Sequence, residues 1–144
     1  MSLLVANLCV TWFLVGLIWV VQVLVYPQFT AVTGECWRAY HAGHMRRITW
    51  VVAPAMVAEG LLAAALVAWP PAGVGRGLAV AALVLAVGPW LSTAMWQVPL
   101  HNRLAAAGDA AAAGVFARRL TRSNWLRTAL WTARGLLLVA IALA

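Results

Sequence analysis

Lysine is absent and acidic side chains nearly so: the 144 residues hold only Glu35, Glu59 and Asp109, against ten Arg. Charged residues make up 9% of the chain, where a soluble domain carries about 25%. Too little polar surface is available to cover a globule in water, which excludes a free soluble enzyme and leaves an integral membrane protein. Cysteine is limited to Cys9 and Cys36, which fit no metal spacing. The span between them puts them near opposite membrane faces, beyond the roughly 7 Å that a disulfide bridges. No phosphate loop, dinucleotide fingerprint or nucleophile motif occurs, which sets aside kinase, nicotinamide and hydrolase chemistry. The first apolar run has no basic region before it and no small-residue cleavage site after it, so Leu3 to Val25 reads as a retained span.

What the chain has in abundance is apolar sequence, 65% of all residues. At about 20 residues per transmembrane helix, this is enough for four spans in one membrane domain covering 1–144. Breakers divide it into spans of approximately 3–26, 37–69, 78–100 and 112–143. Tyr26-Pro27 is expected to stop the first, Pro70-Pro71 with Gly73, Gly75 and Gly77 to form a tight turn after the second, and Pro99 to close the third. The fold class is therefore all-α, a membrane four-helix bundle. Its second and fourth helices are long enough to project about 10–15 Å beyond the hydrocarbon, on the cytoplasmic side. Arg38, Arg46, Arg47, Arg103, Arg118, Arg119, Arg122 and Arg127 fall on one face, and only Arg76 on the opposite connection. By the positive-inside rule the Arg-rich loops are cytoplasmic, with both termini outside a plasma or inner membrane. The net charge of +7 thus reads as a topology signal addressed to the lipid bilayer, and no nucleic-acid partner is expected.

Polar residues inside the spans are costly in hydrocarbon and mark function or structure. At 100° per residue each helix carries one polar stripe: Thr11, Val15, Gln22 and Tyr26; His41, His44 and Glu59; Trp90, Thr93, Gln97 and His101; Asn124, Arg127, Trp131 and Arg134. Four stripes predict a polar interior. Glu59 and Arg134 each lie about 15 Å from the outer ends of their helices and are expected to form a buried ion pair, either structural or a carrier of protons or substrate. Nearer the Arg-rich end, His44, His101, Arg127 and Asn124 are the candidate catalytic residues. The imidazoles would act as acid or base and the others as donors to a phenolate or enolate oxygen. Tyr26, Trp90, Gln97, Asn102 and Trp131 are the candidate substrate contacts. His41-x-x-His44 presents two imidazoles on one helical face. With His101 they make a three-His set of the kind that holds zinc or copper, the alternative being solvated interfacial imidazoles. No cofactor, or a single His-bound metal ion, is the expectation, and haem is not expected because only His44 and His101 approach matched depth.

Two segments carry a resemblance. Val98-Pro99-Leu100-His101-Asn102-Arg103-Leu104 closes the third span, and Ser123-Asn124-Trp125-Leu126-Arg127-Thr128 lies inside the fourth. Together they resemble the small four-span anthrone oxygenase-like membrane proteins. Pro99, Asn102 and Leu104 stand in the first motif of that family, and Asn124, Arg127 and Thr128 in the second. His101 stands where the family pattern has Asn, and Trp125 where His is frequent. The resemblance implies a four-helix fold and a cofactor-free oxygenation of a polycyclic phenol. With the stripes it predicts an oxidoreductase or oxygenase for a hydrophobic, aromatic or quinone-like compound entering from the cytoplasmic leaflet. The alternative is a non-catalytic protein, a small transporter or an assembly or lipid-interacting factor, whose polar interior only holds helices together. The chain lacks inverted repeats, so a transporter would draw its symmetry from a homo-oligomer.

Overall fold

The computed structural model describes residues 3–32, 36–107 and 110–144, so Glu35 and Asp109 lie outside the described residues. Four long helices make up the fold: α1 (Leu3–Gln28), α2 (Cys36–Ala68), α3 (Arg76–Ala106) and α4 (Ala110–Leu143). All four are long and apolar enough to cross a membrane. No strand occurs among the described residues. Both α1 and α3 pack against α2 and α4, so the helices form a ring in chain order, with α2 facing α4 across its diagonal. The turn from α2 to α3 closes through a Val74 N–H bond to the Pro71 carbonyl at 3.0 Å. Gly73 adopts φ +84° at its third position, a conformation that side chains with a Cβ disfavour.

Two helices do not end where Pro was expected to end them. α1 runs through Pro27 to Gln28 and α3 through Pro99 to Ala106. In each case a single π-helical turn, Val21–Val25 or Thr93–Gln97, comes just before the Pro. The Tyr26 N–H reaches back five residues to the Val21 carbonyl, and the Val98 N–H to that of Thr93. Proline cannot donate to the carbonyl four residues back and its ring collides with it, so the chain adds one residue to the turn and starts a fresh α-helical segment. Pro then sits in the first turn of that segment, where its missing N–H costs little.

The extra residue matters because it turns everything beyond it by about 100° relative to an uninterrupted helix. On α3 the buried face reads Ala79, Ala82, Ala86, Pro89 and Ser92, then skips to Gln97 and His101. Trp90 is therefore not on the interior face that constant 100° spacing assigned to it, and is 41% exposed. Two apolar clusters flank the polar interior. Leu66, Ala79, Ala82 and Leu138, all 0% exposed, close the turn end. Leu14, Val15, Ile18, Tyr26, Phe29 and Trp131 belong to a larger cluster toward the Arg-rich end.

Candidate functional site

The polar interior falls into two layers. In the first, Arg134 crosses the diagonal from α4 and places Nη1 3.1 Å from Glu59 Oε1 on α2. The Arg134 Nε donates to the Ala82 carbonyl on α3 at 3.0 Å and its Nη2 to Asn7 Oδ1 on α1 at 2.7 Å. Thr11 Oγ1 accepts from Arg134 Nη1 and donates to Glu59 Oε1. Trp131 Nε1 donates to Glu59 Oε2 at 2.8 Å, and the Asn7 amide donates onward to the Leu3 and Leu62 carbonyls. All four helices meet on one ion pair with both charges hydrogen-bonded, the condition under which a buried pair is tolerated. Asn7 was not singled out in the sequence, although a lone Asn in the apolar run Leu3–Leu8 carries the same anomaly as Thr11.

The second layer, toward the Arg-rich end, is not satisfied. Arg127 is buried; its Nη1 donates to Asn124 Oδ1 at 3.3 Å, and its guanidinium also faces the Tyr26 hydroxyl. Its guanidinium lies over the Trp131 ring, 5.1 Å from the centroid. Among the described residues its Nε has no hydrogen-bond partner, and neither has Gln97 Oε1. Glu59 is the only acidic side chain among the described residues and is already held by Arg134, so Arg127 is a buried cation without a counter-ion. Arg127 and Gln97 line a cavity of about 240 Å³ between α2 and α3, walled elsewhere by Met45, Ile48, Val52, Met56 and Trp90. The cavity is apolar over most of its walls and polar at its back, the general form of a site for a hydrophobic ligand with one oxygen to orient.

Tyr26 and His101 complete the polar back wall. The Tyr26 hydroxyl is 3.2 Å from His101 Nε2, and His101 Nδ1 is 3.1 Å from His41 Nε2. Phe29, buried at the end of α1, packs its ring at 5.8, 5.0 and 6.1 Å from those of His41, His44 and His101. His101 and His41 also line a second and larger space, a vestibule of about 730 Å³ at the Arg-rich end with Trp37, Arg38 and Asn102. His101 is thus the partition between the two spaces.

These positions sort the expected residues into those that share the cavity and those that do not. His41, His44 and His101 come together, but both ring nitrogens of His101 are occupied by Tyr26 and His41. Among the described residues no group of three or more His, Cys, Asp or Glu is placed to hold a metal ion. His44 stacks on His101 at 6.1 Å, yet it lines a groove between α1 and α2 instead of the α2–α3 cavity. Asn124 does not line that cavity either; its amide donates to Gln22 Oε1 at 2.9 Å and its carbonyl receives Arg127, so it positions the guanidinium. Trp131 is turned toward Glu59, and exposed Asn102 belongs to the vestibule. Tyr26, Gln97, His101, Arg127 and, at its α2–α3 seam, Trp90 are the expected residues that share the cavity. Comparison with protein-family models, with curated proteins and with solved structures finds no match to this chain.

Proposed function

We propose that the chain is a membrane oxidoreductase or oxygenase acting on a hydrophobic aromatic or quinone-like compound bound between α2 and α3. The observation that carries this reading is Arg127, a buried guanidinium without a counter-ion among the described residues, on the polar back wall of a largely apolar cavity. Burying an unpaired ion costs several kcal/mol, a cost that falls when a ligand brings the complementary oxyanion. An aromatic phenolate or enolate supplies both halves: rings for Val52, Met56 and Trp90, and an oxygen for the free Arg127 Nε. His101, behind Tyr26, takes the proton that forms the anion. With dioxygen as co-reactant, a methylene activated by flanking rings becomes a carbonyl; one oxygen atom is retained and the other leaves with the two hydrogens as water. The resemblance to the anthrone oxygenase-like proteins, carried by Pro99, Asn102, Leu104, Asn124, Arg127 and Thr128, favours the same chemistry.

In this reading the protein spans a plasma or inner membrane with its Arg-rich end in the cytoplasm, in keeping with eight Arg against one, and substrate enters sideways from the cytoplasmic leaflet. The purely structural role weighed for the polar interior belongs to the Glu59–Arg134 layer, where every charge is met. The test is the full chain in lipid nanodiscs titrated with anthrone and 2-naphthol, binding being read from tryptophan quenching and oxygenation from dioxygen uptake. Saturable binding is expected, weakened about tenfold or more by Arg127→Met, which removes one charge-assisted contact of 1.5–3 kcal/mol. Binding no tighter than to empty nanodiscs, or unchanged by the substitution, refutes the site.

A further inference from the structure

We infer that Tyr26, His101 and His41 form a proton relay joining the α2–α3 cavity to the vestibule, with His41 as the residue that exchanges protons with water. This rests on the cavity being the substrate site. Three observations carry it. The three side chains are hydrogen-bonded in series, at 3.2 and 3.1 Å. Tyr26 lines the cavity and not the vestibule, His41 lines the vestibule and not the cavity, and His101 lines both. Each contact uses a different nitrogen of His101, so the imidazole is connected on its two sides rather than bridged at one.

A neutral imidazole has one N–H and one lone pair, so the two contacts of His101 force a direction on the chain. When the Tyr26 hydroxyl donates to Nε2, His101 carries its hydrogen on Nδ1 and donates to His41 Nε2, leaving His41 with its hydrogen on Nδ1. A proton leaving the substrate then bonds to the Tyr26 oxygen while the former hydroxyl proton moves to His101 Nε2. The Nδ1 proton of His101 moves to His41 Nε2, and His41 releases its own Nδ1 proton to water. Charge and protons balance: the substrate gains one negative charge and the vestibule one proton. Each pass leaves both imidazoles in the opposite tautomer, and the chain now points inward. The relay is therefore set to return a proton before it can export a second one, which suits a reaction that takes a proton to make an anion and gives one back to form product. The charged and titratable neighbours of the chain are Arg127 on α4 and His44 and Arg38 on α2.

Two measurements test the relay. Nitrogen-15 spectra of histidine-labelled full chain should show His101 and His41 in the same tautomer, and Tyr26→Phe should release them into a mixture; opposed tautomers in the unaltered chain overturn the relay. The second probe is 7-hydroxycoumarin, whose anion fluoresces distinctly, bound in nanodiscs and followed through a jump from acid to alkaline buffer. His41→Gln keeps a hydrogen-bonding group of similar size but cannot pass a proton, and should slow deprotonation of bound dye about 100-fold without altering dye affinity. Added imidazole should restore the rate in His41→Ala. Binding with equal rates in both proteins overturns the relay alone, as does a His41→Phe loss that Gln rescues, which would mark a packing role. No saturable binding to the unaltered chain removes the cavity reading and the relay with it.

Discussion

Replacing Arg127 by Met should stabilise this protein, whereas the same replacement seven residues along, at Arg134, should damage it. Both guanidinium groups are buried on one face of α4, with 6% and 0% exposure, so burial alone ranks them alike. Their partners differ. Arg134 holds a carboxylate, a carbonyl, an amide and a hydroxyl on the other three helices. Arg127 has only neutral partners, a bond of 3.3 Å to Asn124, the Tyr26 hydroxyl and a tryptophan face at 5.1 Å. The Asn124 and Trp131 contacts contribute about 1.5 and about 2 kcal/mol and the Tyr26 hydroxyl brings no counter-charge, against a desolvation cost of several kcal/mol for an unpaired ion. Met fills a similar volume without that cost, for a net gain of about 1–3 kcal/mol. At about 2–4 °C per kcal/mol for a chain of this size, the Tm should rise by about 2–12 °C. Arg134→Met instead strands Glu59 and should cost about 3–5 kcal/mol, a fall of about 6–20 °C. Combining it with Glu59→Gln removes both charges and should recover most of the loss. The assay is thermal unfolding of the full chain in nanodiscs, followed by intrinsic tryptophan fluorescence. A lower Tm for Arg127→Met would refute the reasoning, because it would mean that Arg127 is already paired in the ligand-free protein.

Three further outcomes are expected. Gly88→Ala would put a Cβ 2.8 Å from Leu130 Cδ1 at the α3–α4 contact, so that side chain must turn aside, whereas Gly16→Ala meets nothing within 4 Å; the second should raise stability by up to about 1 kcal/mol and the first should forfeit that gain, and equal melting temperatures would contradict the packing described. Cys36 is a free, exposed thiol at the Arg-rich end of α2, and Cys9 is the other free thiol, so in a Cys9→Ala background, with the Arg-rich end cytoplasmic, a membrane-impermeant maleimide should label Cys36 in inverted vesicles and not in intact cells; labelling in intact cells reverses the orientation. Pro99→Ala restores the donor whose absence favours the π turn at Thr93–Gln97 and should weaken 2-naphthol binding at least tenfold by rotating Gln97 and His101 relative to α2, with helix content by circular dichroism unchanged; unaltered affinity would show that packing, not Pro, holds the turn.

Much of the bundle was legible because its signal is local. Charge placement and breakers gave four apolar helices, and counting at 100° per residue gathered Asn124, Arg127, Trp131 and Arg134 on a face that is indeed buried. The same count misplaced Trp90. A π turn lies between it and Gln97, and constant spacing cannot represent an added residue. A Pro at the end of an apolar run, as at Pro27 and Pro99, signals a stop equally well as a π turn, because both relieve the same missing N–H. His41 illustrates a different limit. Its helical face was apparent, but the choice of His41 over His44 as the hydrogen-bond partner of His101 depends on where Phe29 and Trp37 pack. Such contacts between helices leave no periodic trace in any one of them.

The sealed half of the bundle has a consequence for how the membrane voltage acts on the molecule. From Glu59 and Arg134 to the turn end, the axis is filled by a neutralised pair and by side chains of 0% exposure at Leu66, Ala79, Ala82 and Leu138. Within a membrane such a packed layer acts as a dielectric plug, across which most of the transmembrane field would drop. The cavity and vestibule on the other side share the potential of the compartment they open to. On the proposed function and relay, a proton travelling between Tyr26 and His41 would cross little of that field, and turnover should be insensitive to voltage and draw protons from one side of the membrane only.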